Sequence, residues 1–321
     1  MENGNSNAPP FQYKIIKKVG SGAFGDVFKG ESIINPGVFV AIKCEDPENE
    51  KKERLKLEYN FYRDLNINPV HTGIPRAYSY LKNVSITDPA TKERPYDITA
   101  NRNVMIMEYL GPSLEKLFCY MHKTFSLKTI LMIGIQALDR LEFIHNNGII
   151  HRDIKPDNFL IGSNNANKTN IYLLDFGLSK KYIDLGNYMF NPFKNTHTFT
   201  GTYRFCSLRS HKHLEQNRRD DIESVGYMII YFFRKELPWQ GIKDDPQKKD
   251  TRSNKIFKMK QSMSMDELCQ DCPSFMIEYM RYARMLKYTE VPNYYKLKSL
   301  FFNCMNENNL INDNNFDWCS I

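Results

Sequence analysis

The sequence predicts an α+β fold with a β-rich N-terminal part and a mainly helical C-terminal part. Up to about residue 109, short apolar runs rich in Val and Ile are typical of strands. Beyond that point, apolar residues recur at the three- and four-residue spacing of amphipathic helices. With 321 residues, of which 41% are hydrophobic, the chain can form one large unit or two packed units.

Charge and cysteine content limit the partners and the compartment. The net charge of +7 is spread without a long single-sign block, which indicates a mild preference for acidic partners. No nucleic acid is expected, because no recognised nucleic-acid-reading motif accompanies the charge. Seven scattered cysteines form no disulfide framework, so a reducing compartment is expected. Cys269 and Cys272 have metal-like spacing without a second pair, and neither a zinc site nor a redox role is expected from them.

No targeting or membrane segment is predicted. The polar N-terminus lacks the apolar core of a signal peptide, and the most apolar run, Val225–Phe233, is too short to span a bilayer. A monomer in the cytoplasm, the nucleus or both is therefore expected, without membrane attachment. The basic stretch Lys248–Lys255 could serve nuclear import or form a surface anion site.

The first strands carry a glycine pattern. After a flexible lead-in over residues 1–12, Tyr13–Gly20 predicts a strand, and the G-x-G-x-x-G of Gly20–Gly25 runs into a second strand at Asp26–Gly30. Because glycine has no Cβ, such a hairpin can bring backbone N–H groups close to phosphates; the alternative is an ordinary hairpin turn. Val38–Lys43 predicts a third strand that ends in a lone lysine, either a phosphate ligand or a solvated strand end.

A helix with a candidate partner for Lys43 follows. Its predicted range is Glu48–Leu65. Glu58 is favoured over Glu53 as the lysine's partner, because Glu53 lies among basic residues whereas apolar residues run alongside Glu58. Those apolar residues are Leu57, Phe61 and Leu65.

Two more strands and a connector complete the N-terminal part. Ile74–Leu81 and Asn103–Met107 predict the strands, and the polar segment between them, about residues 82–102, is too long for a tight hairpin and predicts a surface insertion. Glu108–Gly111 is predicted as an extended connector between lobes. Its backbone could hydrogen-bond an adenine edge, with Met107 lining the back of the pocket.

The remaining elements are predicted as helices with two short strands. Leu114–His122 predicts a short helix, and Ser126 begins a longer one that ends at Asn147–Gly148. Phe159–Ile161 and Ile171–Leu174 predict the strands. Residues expected in the helical core are Val225, Met228, Ile229, Phe232, Met276, Tyr279, Met280 and Met285. The last helices are expected to begin near Pro292.

The chemistry is concentrated in the loop His151–Asn158. Asp153 is placed to accept a hydroxyl proton, Lys155 can offset charge on a transferring phosphate, and Asn158 offers a neutral oxygen to a hard cation. The spacing is that of the protein-kinase catalytic loop, H-R-D-x-x-x-x-N; the alternative is a polar loop whose charges cap helices. The Asp-Phe-Gly triplet that begins at Asp175 follows a strand. Asn158 and Asp175 are then two oxygen ligands of the kind that Mg²⁺ takes from proteins.

This ordered set of motifs resembles the eukaryotic protein kinases, and the resemblance to the casein kinase 1 family is closer. The segments that carry it are Leu110–Glu115, His151–Leu160, Arg218–Tyr227 and Leu237–Gly241. Gly201–Arg209 stands where ordinary kinases carry Ala-Pro-Glu and looks like a variant of that family's replacement. The resemblance runs from about Tyr13 to Trp318. It implies one bilobal kinase domain, with an N-lobe over residues 13–109 and a C-lobe over residues 110–321.

The resemblance implies a Ser/Thr protein kinase that uses ATP and Mg²⁺. Lys43, held by Glu58, would contact the α- and β-phosphates. Asp153 would be the base, Lys155 would offset γ-phosphate charge, and Asn158 and Asp175 would hold Mg²⁺. Asp221 would anchor the catalytic loop from below. The residues expected around ATP are Val19, Gly20, Ser21, Gly22, Gly25, Val27, Ala41, Lys43, Met107, Glu108, Leu110 and Leu160.

The family also implies protein substrates with phosphate or acidic groups just N-terminal to the target hydroxyl. Arg204 matches an anion-binding arginine. The place of its partner lysine offers Lys248, Lys249 and Arg252. Arg152 and Lys180 match a second basic cluster, whose third member appears here as His197, a mostly neutral residue that should weaken it. For each basic residue the alternative is a solvated surface charge, and Ser207–Arg209 departs from the family's Ser-Ile-Asn.

Two other functions remain open at this point. A pseudokinase that binds nucleotide and acts as a scaffold usually lacks a catalytic residue, and none of the expected ones is missing here. The divergent substrate-facing segment and the predicted insertion keep this alternative open. A small-molecule kinase on the same fold is the third candidate. The family resemblance also implies basal activity without phosphorylation of the activation loop. In other kinases, the arginine at the position of Arg152 usually depends on that phosphorylation.

Overall fold

The computed structural model describes residues 12–22, 25–45, 53–67, 73–86, 98–196, 198–243 and 251–320. The predictions for residues 1–11, for Lys248 and Lys249 and for His197 lie outside these ranges. The chain divides into two compact units, Met1–Ile67 with Pro75–Leu110, and Asn68–Ile74 with Gly111–Ile321. The first is built on a sheet and the second mainly on helices, so the predicted α+β class is confirmed.

The first unit contains a five-stranded antiparallel sheet in the order β1-β2-β3-β5-β4. Its strands are β1 (Tyr13–Gly22), β2 (Gly25–Ser32), β3 (Phe39–Glu45), β4 (Ala77–Ile86) and β5 (Ile98–Glu108). β4 and β5 remain paired as far as Ile86 and Ile98. The prediction of an insertion over residues 82–102 is therefore wrong at both of its ends, because the strands continue into it; residues 87–97 lie outside the described ranges.

Strand alternation gives this sheet one apolar face. Val40, Ile42 and Cys44 of β3 are buried in one cluster with residues of β2 and β5, whereas Ala41 and Lys43 belong to the opposite face. Each apolar side chain buried in this way stabilises the fold by roughly 1.5–3 kcal/mol. β3 continues to Glu45, so the prediction that the strand ends at Lys43 is wrong.

The helix of the first unit, α1 (Arg54–Leu65), begins after Glu53, which has a left-handed φ of 43°. The predicted helix over Glu48–Leu65 is therefore confirmed only from Arg54 onward. Glu45 accepts a hydrogen bond from the N–H of Leu55 at 3.1 Å, so a buried carboxylate lies at the positive end of the helix dipole.

The second unit contains eight helices within its described residues. They are α2 (Leu114–Tyr120), α3 (Leu127–Asn146), α4 (Leu208–His211), α5 (Arg218–Arg234), α6 (Arg252–Ser262), α7 (Met265–Leu268), α8 (Phe275–Met285) and α9 (Tyr294–Glu307). Three short strand pairs lie among them: β6 (Ile149–Ile150) with β9 (Lys180–Lys181), β7 (Phe159–Ile161) with β8 (Ile171–Leu173), and β10 (Ile183–Asp184) with β11 (Met189–Phe190). The predicted ends of α3 are confirmed, since the hydroxyl of Ser126 accepts from Thr129 N–H and Gly148 has a φ of 73°.

α5 forms the centre of the second unit and is buried from Arg218 to Phe232. α3 and α8 pack against it. The predicted core residues of α5 and α8 are buried, with one exception: Met285 is 80% exposed. Met285 lies five residues after the buried Met280, and this separation turns its side chain to the other side of a helix that repeats every 3.6 residues.

The cysteine pair and the apolar helices can each be compared with the requirements of a metal site and of a membrane span. Cys269 and Cys272 are free thiols, and burial raises their pKa values to about 11 and about 12. Over the ranges described, no three His, Cys, Asp or Glu side chains are grouped so that they could hold a metal ion. In the same residues, no helix is both long enough and apolar enough to cross a membrane.

Candidate active site

The sheet of the first unit aligns the glycine hairpin with Lys43. Gly20 of β1 is paired with Val27 of β2, and Val27 is paired with Lys43 of β3, so the three lie in one row across the strands. Gly25 has a φ of 138°, which only glycine adopts without strain. The hydroxyl of Ser21 donates to Asp26 at 2.8 Å. The predicted nucleotide residues of β1 to β3 therefore meet on neighbouring strands.

Lys43 is paired with Glu58. Its Nζ lies 3.0 Å from Oε1 and 2.7 Å from Oε2 of Glu58, and both side chains are largely buried. The competing Glu53 is exposed and binds Lys82 at 3.0 Å. The pairing is the predicted one, but the reason given for it is wrong in part, because Leu57 is 56% exposed. Glu58 is buried because it follows Leu55 and precedes Tyr62 on one helical face.

Three of the residues expected around adenine lie at the end of the first unit. Met107 is buried in β5 and pairs with Ala41 of β3. Glu108 accepts from the N–H of Arg76 at 3.2 Å, and burial raises the pKa of the Glu108 carboxyl. Leu110 is buried just after the strand. The remaining expected residue, Leu160, belongs to the second unit, where it pairs with Tyr172 in the β7–β8 hairpin.

In the second unit, the carboxylate of Asp153 is the centre of a polar cluster. Lys155 Nζ lies 2.7 Å from Asp153 Oδ2, and the hydroxyl of Thr202 donates to Asp153 Oδ1 at 2.7 Å. Lys155 also donates to the Thr202 hydroxyl at 3.3 Å. Thr202 was missed in the sequence, although it lies inside the unusual segment Gly201–Arg209. A hydroxyl already bound to this carboxylate shows that the position accommodates a hydroxyl donor.

The amide of Asn158 is oriented by the same loop. Its Nδ2 donates to the backbone oxygen of Asp153 at 2.8 Å, which leaves its Oδ1 for another partner. Asp175 follows β8 in a left-handed conformation with a φ of 67°. Non-glycine residues in this region are uncommon and concentrate at functional sites. A carbonyl oxygen and a carboxylate are donors that fit Mg²⁺.

Asp221 at the start of α5 holds the loop His151–Asn158, as expected. Its Oδ2 accepts from the N–H of His151 at 2.7 Å, and its Oδ1 accepts from the N–H of Arg152 at 2.8 Å. His151 Nε2 lies 2.8 Å from the oxygen of Leu174, which ties the loop to the end of β8. These bonds hold Arg152 at a left-handed φ of 69°, a strained conformation that needs such support.

A buried histidine that the sequence did not single out supports Asp221. His145 Nε2 lies 3.0 Å from Asp221 Oδ2, and His145 Nδ1 lies 2.5 Å from the hydroxyl of Tyr294. Burial lowers the pKa of His145, against the opposing pull of Asp221. Burial acts to raise the pKa of Asp221, but the hydrogen bonds that it accepts hold it below its usual value. The carboxylate therefore stays ionised beneath the loop.

The segment after Thr202 is anchored from within. Arg209 Nη1 lies 3.2 Å from Glu223 Oε2, and Arg209 also donates to the backbone oxygen of Arg284. Glu223 is fully buried in α5 and also accepts from the N–H of Leu208 at 3.0 Å. Ser207–Arg209 is the stretch that departs from the family's Ser-Ile-Asn. Because Arg209 binds the buried Glu223, this departure changes how the segment is held rather than the charge that it presents to a substrate.

Lys260 of α6 holds the same segment from the other side. Its buried Nζ donates to the backbone oxygens of Tyr203 at 2.9 Å and Cys206 at 2.7 Å. The ammonium group also lies 4.7 Å from the ring centroid of Tyr227 and 4.9 Å from that of Trp239. Burial lowers the pKa of Lys260. No sequence pattern marked this lysine, because its burial depends on how α6 packs.

His211 belongs to an aromatic stack beside this segment. Its ring lies 5.8 Å from Tyr203 and 5.9 Å from Phe257, centroid to centroid. Burial and then the charge of Lys260 lower the pKa of His211 to about 3. Below pH 6.5 the unfolded chain therefore binds a proton that the folded chain binds only near pH 3, so the free energy of unfolding falls as the pH falls.

We expect His211→Phe to weaken this pH dependence. Between pH 7 and pH 5, His211 should remove about 2 kcal/mol from the free energy of unfolding of the wild type. The phenylalanine ring keeps the stack and carries no titrating group. Between the same two pH values, the free energy of unfolding of the variant should therefore fall by about 2 kcal/mol less than that of the wild type. Urea denaturation at the two pH values measures the difference, and equal losses would show that His211 is protonated in the folded chain.

The basic residues expected to bind substrate anions are placed in different surroundings. Arg204 is half-buried, and its backbone oxygen accepts from Trp239 Nε1 at 2.7 Å. Arg252 is exposed at the start of α6, and Lys249 lies outside the described residues. Lys180 is bound to the buried carboxylate of Glu215 at 2.5 Å, so part of the second basic cluster is already neutralised.

The two units together carry the features of one class of protein. A family model described as "Protein kinase domain" matches residues 13–308. The chain is therefore a protein kinase by family, and this class uses ATP.

A relative narrows the assignment. The chain is 38% identical over 317 residues to Casein kinase I homolog 3 of Schizosaccharomyces pombe, an alignment that covers 98% of this chain and 67% of that protein. The chain therefore belongs to the casein kinase 1 family.

Proposed function

We propose that this protein is a Ser/Thr protein kinase that transfers the γ-phosphate of ATP to protein hydroxyls. The observation that carries the proposal is the cluster in which Asp153 binds both the Lys155 ammonium and the Thr202 hydroxyl at 2.7 Å. A carboxylate in this cluster can accept a hydroxyl proton, and the adjacent ammonium can offset negative charge on the phosphate. A lysine at this place favours Ser and Thr over Tyr, by resemblance.

The residues of the first unit serve to bind and orient the nucleotide in this proposal. The hairpin Gly20–Gly25 provides backbone N–H groups for the phosphates, and Lys43 provides a cation that Glu58 keeps in position. The backbone of Glu108 and Leu110 binds the adenine edge. The aligned row of Gly20, Val27 and Lys43 supports these roles.

The residues of the second unit carry out the transfer. Asp153 orients the acceptor hydroxyl and takes its proton, while Lys155 stabilises the charge that develops on the transferred group. Asn158 and Asp175 are the residues that would hold Mg²⁺, which when bound neutralises charge on the phosphates. Because the transition state is loose, the contribution of the protein is positioning and charge stabilisation.

We further propose that substrates carry acidic or phosphorylated residues near the target hydroxyl. Arg204 follows Thr202 by two residues, and Arg252 is exposed at the start of α6. In this proposal these two cations attract the acidic groups of the substrate. The contribution of Lys180 to the binding of such groups is smaller than its charge implies, because Glu215 already binds it.

The test is a transfer assay with labelled ATP, Mg²⁺ and two serine peptides that differ only in acidic or neutral residues before the serine. We expect a higher kcat/KM for the acidic peptide, and Arg204→Ala should reduce that preference by about tenfold at low salt. Equal use of both peptides would reject the acidic preference alone. Tight ATP binding without transfer to either peptide would favour the scaffold function instead.

A further inference from the structure

The basic cluster formed by Lys180 and Arg152 contains a carboxylate supplied by the chain itself. Glu215 is buried, and its Oε1 lies 2.5 Å from Lys180 Nζ. Burial lowers the pKa of Arg152, and the first charge that opposes this effect is Glu215, followed by Asp221. The carboxylate of Asp221 already accepts two backbone N–H groups and faces His145. Glu215 is therefore a counter-charge for both basic residues, since it binds Lys180 directly and acts on Arg152 through its charge.

Glu215 also lies beside the segment that leads to Thr202 and is hydrogen-bonded to it. Its N–H donates to the backbone oxygen of Lys194 at 2.9 Å. The next residue, Gln216, donates from Nε2 to the backbone oxygen of Thr200 at 3.0 Å. Thr200 precedes by two residues the hydroxyl that binds Asp153. The backbone at Glu215 and the side chain of Gln216 are thus bonded to the segment that leads to Thr202.

Arg152 connects the same cluster to the catalytic loop. Its Nε donates to the backbone oxygen of Leu178 at 2.6 Å, just after the Asp-Phe-Gly triplet. A Cβ on Gly201 would lie 2.7 Å from the backbone oxygen of Arg152, so the segment that contains Thr202 packs directly on the loop. A largely buried guanidinium in this position needs a nearby negative charge, because an uncompensated buried charge is strongly destabilising.

We propose that Glu215 is a positioning residue whose carboxylate neutralises Lys180 and Arg152 and so holds the segment leading to Thr202 against the catalytic loop. In kinases that require activation, a phosphate added to the activation loop pairs with arginine and orders that loop. Glu215 supplies a charge of the same sign permanently. The proposal rests on the kinase function proposed above, and it gives a physical reason for the basal activity without activation-loop phosphorylation that the family resemblance implies.

The test replaces the carboxylate without changing its size, in the variant Glu215→Gln. Wild type and variant are treated with phosphatase, verified by mass spectrometry as unphosphorylated, and assayed with ATP, Mg²⁺ and the acidic serine peptide. We expect kcat to fall by about ten- to a hundredfold, because a misplaced acceptor segment slows the transfer step, with less than about a twofold change in the KM for ATP.

Rescue by an anion distinguishes this role from a general structural one. In Glu215→Gln the two cations lack their carboxylate, so sodium sulfate should restore much of the lost rate. Sodium chloride at the same ionic strength should not, and the wild type should gain nothing from sulfate. The matched control is Glu290→Gln, which changes an exposed glutamate that accepts from the N–H of Lys287 at 2.9 Å, and this variant should behave like the wild type in both salts.

Each outcome decides the proposal. A Glu215→Gln protein that works at the wild-type rate, or one that is slow, folded and insensitive to sulfate, overturns it. If the variant unfolds at low salt, its thermal denaturation in the two salts is compared: selective stabilisation by sulfate supports the proposal, and equal stabilisation rejects it. A wild type that transfers no phosphate rejects the kinase function itself.

Discussion

Asp153→Asn should lower kcat for phosphate transfer by about a hundred- to ten-thousandfold, the range that a general base contributes. The amide keeps the size of the side chain but cannot take the hydroxyl proton. It also removes the counter-charge from Lys155, whose Nζ lies 2.7 Å from the carboxylate. ATP binding should persist, because the residues proposed to bind the nucleotide phosphates are elsewhere. A filter assay with labelled ATP and the serine peptide, together with a nucleotide-binding titration, separates the two effects.

The chain provides a matched control four residues away. Asp157 is exposed in the same loop, so Asp157→Asn makes the same chemical change at the surface and should leave kcat within about twofold of the wild type. An Asp153→Asn enzyme with a normal rate would overturn the assignment of Asp153 as the base. Equal losses in both variants would point to a general disturbance of the loop.

Glu58→Gln should lower kcat/KM for ATP by about a hundredfold, because Lys43 loses the carboxylate that fixes its position. The pair has 2.7 Å between Nζ and Oε2, and the glutamate side chain is only 3% exposed. Removing one partner of a buried ion pair should also reduce the free energy of unfolding by about 3–5 kcal/mol. Steady-state kinetics at varied ATP and urea denaturation measure these two effects.

Glu53→Gln is the control for this prediction. Glu53 lies five residues earlier, binds the exposed Lys82, and is solvated. Neither the kinetics nor the stability should change measurably. Comparable effects of the two substitutions would show that the interaction of Lys43 with Glu58 has no special role.

The candidate catalytic residues could be proposed from the sequence because their chemistry depends on residue type and local spacing. The short loop from His151 to Asn158 and the triplet at Asp175 are recognisable wherever they occur. The choice of Glu58 over Glu53 was also correct. Its reasoning was weaker, because Leu57 of the apolar stripe is 56% exposed, whereas Leu65 at the end of the stripe is buried. Short apolar runs indicate a helix more reliably than they indicate which side of it is buried.

Other residues depend on contacts between distant parts of the chain. Thr202 meets Asp153 across forty-nine positions, and Lys260 meets Cys206 across fifty-four. Hydrogen bonds at such separations leave no periodic signal. Lys180 is a further example. Its charge was evident in the sequence, whereas its pairing with the buried Glu215 was not.

The sequence by itself determined the class of the fold, the kinase family and the candidate residues for phosphate transfer, because these follow from local patterns and chemical type. Only the tertiary structure decided which charges are available. It paired Lys43 with Glu58, enclosed Arg209 and Lys260, and neutralised Lys180. The physical reason is that burial and the distance to an opposite charge set the effect of an ionised group, and both arise only when the chain is folded.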